Sequence, residues 1–257
     1  MNLVDILGVP IAATNISEAI EQIEDWIRRG HKAYVTLTGV HGIMESQYDE
    51  KIKKYHRKAD LFLPDRMPTV WIGRLFGNKK MRRVYGPDLM LMMLGVASKR
   101  GDSNFFYRGK IGVPELLRER LVKRFPNLEV LGTFSPPFRA LNENEENDLA
   151  SLFEKLSPDI TWIGLSTPKQ EEWMATHIAK INTKVMIGVG AAFDYHAGLL
   201  KQTPLWMQKL CLEWLFRLFI EPKRLWKRYL KNNPLFIWNF FLQALKIRRF
   251  NYKSFAN

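Results

Sequence analysis

A single carboxylate, Asp65, lies beside a group of cations in the stretch 59–88. The apolar run 61–64 predicts a strand that ends at a proline directly before this carboxylate, and the spacing of apolar residues over 67–75 predicts a helix after it. The cations follow this helix at Lys79, Lys80, Arg82 and Arg83. An acid at the C-terminal end of a strand, next to several cations, suggests a catalytic group in a site for an anionic ligand.

The alternative for Asp65 is structural. An aspartate just before a helix is most often an N-cap, which contributes about 1 kcal/mol to stability and performs no chemistry. The stretch 59–88 by itself leaves both interpretations open.

Polar residues and glycines also follow other predicted strands. The sequence predicts these strands at 33–38, 104–107, 128–132, 160–164 and 184–190. At or after their C-terminal ends lie Thr36, Thr38, His41, Gly109, Gly164, Gln170, Glu171, Gly190 and Asp194. Because parallel strands bring their C-terminal ends to one edge of a sheet, we expect these groups to converge.

The turns near Gly109, Gly164 and Gly190 can offer backbone N–H groups to a phosphate. Gln170 and Glu171 lie in the first turn of a predicted helix, where they can meet the polar edges of a nucleotide. Two structural alternatives stay open: Glu171 can simply complement the helix dipole, and Thr36 is a residue type that strands favour for its shape.

The predicted elements alternate between strand and helix. Amphipathic patterns predict helices at 17–29, with Ser17 as a cap and Gly30 as its end, and at 88–100, 114–124 and about 145–156. Residues 1–13 predict a strand or hairpin. This order indicates an α/β fold with a parallel sheet and helices on both faces.

The composition indicates a protein that stays in the cytoplasm. The chain has 257 residues, of which 46% are hydrophobic, enough for a substantial core. One cysteine, Cys211, fits a reducing compartment. No apolar run reaches the roughly 18 residues of a membrane-spanning helix, and the N-terminus lacks the pattern of a signal peptide.

The positive charge is concentrated near the C-terminus, which divides the chain into a nearly neutral domain, 1–200, and a basic, aromatic-rich appendage, 201–257. The appendage has 12 Lys and Arg residues against two acids, and 13 of the 32 aromatic residues. Such a segment can bind nucleic acid or an anionic membrane. Pro234 predicts the start of a second apolar helix, whose run 235–245 suits a membrane interface; the alternative is that it packs as ordinary core.

Several segments together resemble the bacterial WecG/TagA/CpsF glycosyltransferases. They are TLTGVHGIME (36–45), ADLFLPDRMPTVW (59–71), RRVYGPDLM (82–90), GLSTPKQEEW (164–173), GVGAAFDYHAG (188–198) and LEWLFRLFIEPKRLWKRYL (212–230). The resemblance implies a Rossmann-like fold with a C-terminal appendage. It also implies inverting, metal-independent sugar transfer, without a cofactor, from a UDP-sugar to an undecaprenyl-diphosphate-linked saccharide at the cytoplasmic membrane face.

The resemblance also implies roles for individual residues. Asp65 matches the family's catalytic base, and Thr36, Arg83 and Gln170 match pocket residues. The basic residues of the appendage that match are Arg217, Arg224 and Lys227.

Two positions depart from the family pattern. Arg66 stands where a glycine is usual, and would be strained if the turn required a positive φ. Thr38 stands where many members have asparagine, at a position that can contact the sugars. The resemblance therefore leaves the donor sugar open between N-acetylmannosamine and another hexose.

Two other functions were weighed. A nucleic-acid-binding protein would explain the basic appendage but not the segments around Asp65 and Gln170, so nucleic acid is not expected as a partner. An oxidoreductase of the Rossmann type would carry G-x-G-x-x-G after its first strand, which TLTGVHG does not supply. The sequence leaves the oligomeric state open, including a homo-oligomer.

Overall fold

We describe a computed structural model of the chain, which covers residues 1–108 and 110–250, without the side chains of residues 209 and 224. The main sheet has six parallel strands in the order β4-β3-β8-β7-β5-β6. These strands are β3 (Ala33–Thr38), β4 (Leu61–Pro64), β5 (Asn104–Tyr107), β6 (Val130–Phe134), β7 (Ile160–Ile163) and β8 (Val185–Gly188). The predicted parallel α/β fold is confirmed.

Twelve helices are found in the described residues. They are α1 (Ile16–Arg29), α2 (Val40–Tyr48), α3 (Glu50–Lys58), α4 (Met67–Leu75), α5 (Gly86–Arg100), α6 (Val113–Arg124), α7 (Glu143–Leu156), α8 (Lys169–His177), α9 (Ala192–His196), α10 (Leu205–Lys209), α11 (Glu213–Ile220) and α12 (Pro222–Ala244). Two hydrophobic clusters cover the two faces of the sheet. Residues from α1, α5 and α6 pack on one face, and residues from α7 and α8 pack on the other.

Several boundaries differ from the predictions, and two of the differences have a visible cause. Asn15, not Ser17, caps α1, because the Asn15 side chain accepts the backbone N–H groups of residues 17 and 18, each at 3.1 Å. Strand β6 begins at Val130, two residues later than predicted, because it is Val130 that pairs with Asn104 of β5. Gly30 ends α1 as predicted, with a left-handed φ of 65° that favours glycine.

The N-terminal segment forms the predicted hairpin, with antiparallel strands β1 (Leu3–Ile6) and β2 (Val9–Ala12). Helix α12 packs against it. The Gln243 side chain accepts the N–H of Leu7 at 3.0 Å and donates to the carbonyl of Asp5 at 3.0 Å. Phe236, on the same helix, is only 5% exposed and belongs to the hydrophobic cluster of the hairpin.

The prediction that a helix starts at Pro234 is wrong, because Pro234 lies inside α12. Proline removes one helical hydrogen bond, and contacts with the body on both sides of it offset the loss: Leu225 before it and Phe236 after it are buried. The run 235–245 therefore packs on the body through one face, while Ile237, Trp238 and Phe241 are exposed on the other. No helix of the described residues is long and apolar enough to cross a membrane.

We predict that Gln243→Ala loosens α12 from the hairpin. The change leaves the Leu7 N–H and the Asp5 carbonyl without their side-chain partner, at a cost of about 1–3 kcal/mol. Hydrogen exchange of the β1–β2 turn should become faster, while Gln202→Ala, at an exposed position, should leave it unchanged. Equal exchange rates in both variants would contradict this role of Gln243.

Candidate active site

A cleft of about 1430 Å³ opens at the C-terminal edge of the main sheet. Residues at or after the ends of β3, β4, β5, β7 and β8 line it, so the polar groups that follow these strands converge. Helices α10, α11 and α12 of the appendage form the facing wall. The cleft therefore lies between the α/β domain and the appendage.

Most of the predicted site residues line this cleft: Thr38, His41, Asp65, Arg83, Gly164, Gln170, Gly190, Asp194 and Arg217. Thr36 and Glu171 are fully buried beneath it. Lys227 is not among the lining residues, and its ammonium lies 5.5 Å from the ring centre of Trp226. Gly109 and the Arg224 side chain lie outside the described residues.

Asp65 presents a partly exposed carboxylate to the cleft. Its side chain is 15% exposed, one oxygen lies 2.8 Å from Nε of Arg66, and the other accepts the N–H of Gly86 at 3.1 Å. The N-cap residue of α4 is Arg66, so the interpretation of Asp65 as the N-cap of α4 is wrong. The N–H group that the Asp65 side chain accepts belongs to Gly86, the first residue of a different helix, α5.

Arg66 is accommodated without backbone strain. Its φ is −126°, in the extended region that any residue adopts, so this turn does not require glycine. The side chain lies over Gly39, where there is no room for a Cβ atom, and its guanidinium pairs with both Asp65 and Glu213 of α11.

Arg83 ties the same loop to the appendage. Its guanidinium donates to the Asp65 carbonyl at 2.7 Å, to Oε1 of Gln208 at 3.0 Å and to Oε2 of Glu213 at 2.8 Å. It also lies 4.0 Å from the ring centre of Tyr85. Glu213, one of the two acids of the appendage, is only 5% exposed and pairs with both Arg66 and Arg83.

A second cation, Arg108, lies deeper along the sheet edge. It donates to the carbonyl of Gly164 at 2.9 Å and pairs with Asp194 at 2.5 Å. Its buried Nε has no hydrogen-bond partner in the structure. Sequence analysis missed Arg108, although the signal was available: it is a cation directly after β5, next to Gly109. Asp194, a predicted donor-binding residue, is held by this arginine.

Gln170 and Glu171 form a buried pair at the start of α8. One oxygen of Glu171 accepts from Oγ1 of Thr167 and from Nε2 of Gln170, each at 3.0 Å. The amide oxygen of Gln170 has no partner and lies 3.6 Å from the position of a Cβ atom on Gly190. Burial raises the pKa of Glu171, an effect that its hydrogen bonds oppose. Glu171 thus orients Gln170 from beneath the cleft.

His41 links the cleft to the appendage as a neutral group. Its Nδ1 lies 3.3 Å from Glu45 and 3.3 Å from Nδ2 of Asn232 on α12. Burial, with a smaller contribution from the charge of Arg228, lowers the pKa of His41 to about 4. Behind it, burial lowers the pKa of His56, whose Nδ1 lies 2.6 Å from Oγ of Ser46, to about 3.

The wall formed by the appendage contributes two cations to the cleft, Arg217 and Arg228. Arg228 was missed because the sequence resemblance pointed to its neighbour Lys227, and only the rotation of α12 decides which of the two faces the cleft. In residues 1–108 and 110–250, no group of three or more His, Cys, Asp or Glu side chains is arranged to hold a metal ion.

Comparison with known sequences assigns the family. The model of the Glycosyl transferase WecG/TagA/CpsF family matches residues 4–250. The chain belongs to this family of glycosyltransferases. The match spans both the α/β domain and the appendage, so the cleft between them lies within the family's shared sequence.

Two relatives carry the same enzyme name, N-acetylglucosaminyldiphosphoundecaprenol N-acetyl-beta-D-mannosaminyltransferase. The protein of Bacillus subtilis (strain 168) is 27% identical over 226 residues, covering 88% of this chain and 86% of the relative. The protein of Staphylococcus aureus (strain MRSA252) is 25% identical over 248 residues, covering 96% and 95%.

We predict that His41 and His56 make the folded glycosyltransferase sensitive to acid. Both have a lower pKa in the folded chain than the usual 6.5, so the unfolded chain binds more protons between pH 6.5 and about 4. Stability should therefore fall as the pH falls through this window, by on the order of several kcal/mol.

The measurement is thermal unfolding from pH 7 to pH 4. His41→Gln should reduce the pH dependence, and His31→Gln, at an exposed position, should not. The same pH dependence in the wild type and in His41→Gln would contradict the assignment.

We also predict that Glu213→Gln separates the appendage from the site loop. The change leaves Arg66 and Arg83 without their shared carboxylate, and breaking a buried ion pair typically costs about 3–5 kcal/mol. Limited proteolysis near residues 201–212 should become faster. The control is Glu221→Gln, since Arg217 lies 3.9 Å from Glu221 near the surface, where such pairs contribute about 0–1 kcal/mol. Unchanged proteolysis of Glu213→Gln would show that other contacts hold the appendage.

Proposed function

We propose that the enzyme is an inverting glycosyltransferase that moves a sugar from a UDP-sugar to an undecaprenyl-diphosphate-linked saccharide. The product would enter a cell-surface polymer such as an exopolysaccharide, a teichoic acid or an antigen. One observation carries the proposal: the Asp65 carboxylate lies in a single cleft with cations toward two sides, Arg108 in the α/β domain and Arg217 and Arg228 on the appendage. Two diphosphates, one on each substrate, require this distribution of charge.

Asp65 is the proposed general base. In a single displacement the acceptor hydroxyl attacks the anomeric carbon, its proton passes to the Asp65 carboxylate, and the bond from the anomeric carbon to UDP breaks on the opposite face. The N–H of Gly86 and the guanidinium of Arg66 hold the carboxylate in place.

The donor diphosphate fits the side of the cleft near Arg108. This guanidinium retains a buried N–H that has no partner among the described residues, and Lys169, the first residue of α8, also lines the cleft. Cations and helix N-termini stabilise the charge that develops on departing UDP. The amide oxygen of Gln170, held outward by Glu171, is placed to accept a hydrogen bond from the donor.

The acceptor diphosphate fits the side of the cleft formed by the appendage. Arg217 and Arg228 line it, and guanidinium groups bind phosphate oxygens bidentately. Thr38, His41 and Arg83 lie between this wall and Asp65, where the acceptor sugar would sit. Thr36 and Lys227 do not line the cleft, and Arg224 stays a predicted acceptor contact.

The lipid of the acceptor places the enzyme on the inner face of the cell membrane as a peripheral protein. The appendage supports this because Trp214, Phe219, Trp238 and Phe241 are exposed among its basic residues. Aromatic and basic side chains together favour the interface of an anionic membrane.

The donor sugar is proposed as UDP-N-acetylmannosamine or another UDP-hexose. The names of the relatives from Bacillus subtilis and Staphylococcus aureus specify an N-acetylmannosaminyl group. A screen of UDP-sugars with a short-chain polyprenyl-diphosphoryl saccharide, read by mass spectrometry, would decide between them.

We predict that Asp65→Asn lowers kcat for transfer to a water-soluble, lipid-diphosphate-linked acceptor by roughly 10²–10⁴-fold, the usual contribution of a general base. The fold should persist, because the amide can still accept the N–H of Gly86. Asp88→Asn is the matched control: its carboxylate lies in the first turn of α5, the helix whose first N–H Asp65 accepts, but it does not line the cleft. Near-normal transfer by Asp65→Asn would remove this residue from the mechanism.

A further inference from the structure

Helix α4, which begins two residues after Asp65, is apolar on both of its faces. Val70 and Ile72 are buried in the cluster that includes the N-terminal hairpin. On the opposite face Trp71 is 49% exposed and Leu75 is 70% exposed, and Phe76, directly after the helix, is 44% exposed. A helix that exposes large apolar side chains on its outer face marks an interaction surface.

The chain segment that contains this face carries only positive charge. The segment 66–87 contains no aspartate or glutamate, and Lys79, Lys80 and Arg82 are exposed in the turn after the helix. The one charged residue inside α4, Arg74, donates its Nε–H to the carbonyl of Met81 at 3.0 Å, so it is bonded to the same turn. The partner of this face must therefore offer apolar and anionic groups together.

The α4 face is continuous with the exposed face of α12. The rings of Phe76 and Phe240 lie 6.1 Å apart, and Ile237 and Phe241 are exposed nearby on α12. Trp71 and Ile237 both line the cleft, one from each helix. The apolar surface thus extends across the cleft from the appendage to the α/β domain.

We propose that α4 and the turn at 76–82 form a second membrane-contacting surface, which belongs to the α/β domain, and that its partner is an anionic lipid bilayer. The cationic turn excludes a cationic partner, and a bilayer supplies acidic headgroups above an apolar layer. The proposed function explains why the enzyme would bind a membrane, and in that respect the inference rests on it. Binding to a bilayer can be measured by itself, because it requires no sugar transfer.

This placement has a mechanistic consequence. Asp65 and Met67, the first residue of α4, are separated only by Arg66. A bilayer that contacts both α4 and α12 would fix the depth of the cleft relative to the headgroups. The diphosphate of a lipid-linked acceptor could then reach Asp65 without leaving the membrane surface.

The test is binding of the full-length protein to vesicles of phosphatidylglycerol and phosphatidylcholine, with no donor or acceptor present. The variants are Leu75→Glu and the pair Lys79→Glu with Lys80→Glu. Each should lower the partition coefficient by roughly tenfold or more, because each loses apolar burial or electrostatic attraction. Ile111→Glu is the matched control, at an apolar residue that is 85% exposed and distant in sequence from α4.

Three outcomes would overturn the proposal. The first is a Leu75→Glu variant that binds vesicles as the wild type does, which would leave the appendage as the whole membrane surface. The second is an equal loss of binding in Ile111→Glu. The third is a change of oligomeric state in Leu75→Glu, measured by sedimentation, with vesicle binding unchanged, which would make α4 a contact between copies of the chain.

The proposed function is tested separately with the same variants. Transfer to a water-soluble acceptor should be unchanged in Leu75→Glu, because Leu75 does not line the cleft. Transfer to an acceptor embedded in vesicles should fall together with partitioning. An absence of transfer by every variant and by the wild type would contradict the proposed function, while the vesicle-binding result would still decide the role of α4.

Discussion

The organisation of the site depends on one buried carboxylate, Glu213. It pairs with Arg66 and Arg83, which are bonded to the side chain and the backbone carbonyl of Asp65 respectively. Two arginines packed together in a poorly hydrated cleft repel each other, and Glu213 is the second acid, after Asp65, that balances their charge. The position of the Asp65 carboxylate is therefore coupled to the docking of a helix nearly 150 residues later in the chain.

Charged and neutral groups both line the cleft. Cations lie on the α/β side, at Arg108, and on the appendage side, at Arg217 and Arg228. Between them, burial keeps His41 neutral and holds Glu171 beneath the surface as a support for Gln170. An enzyme that acts on two diphosphates benefits from this arrangement, because uncharged groups can then contact the sugars without competing for phosphate.

Much of the fold was predictable because its signals are local. Apolar strands, amphipathic helices and turn glycines such as Gly30 can be predicted from the residue types in a short window of sequence. The failures also have local causes: Asn15 competes with Ser17 as a cap, and Pro234 is tolerated inside α12 because the body holds both halves of that helix. The division of the chain at residue 200 remains a prediction; the two parts are joined by the contacts of Glu213 and Gln243.

The amino-acid sequence by itself determined the parallel α/β architecture, the place of Asp65 after a strand, and the basic, aromatic character of the appendage. Each of these depends on residue type and short-range spacing. Only the tertiary structure decided which cations face the cleft, that Asp194 is paired with Arg108, and that α4 adds an apolar face beside α12. Those features depend on helix rotation and on contacts between distant segments, which no local pattern specifies.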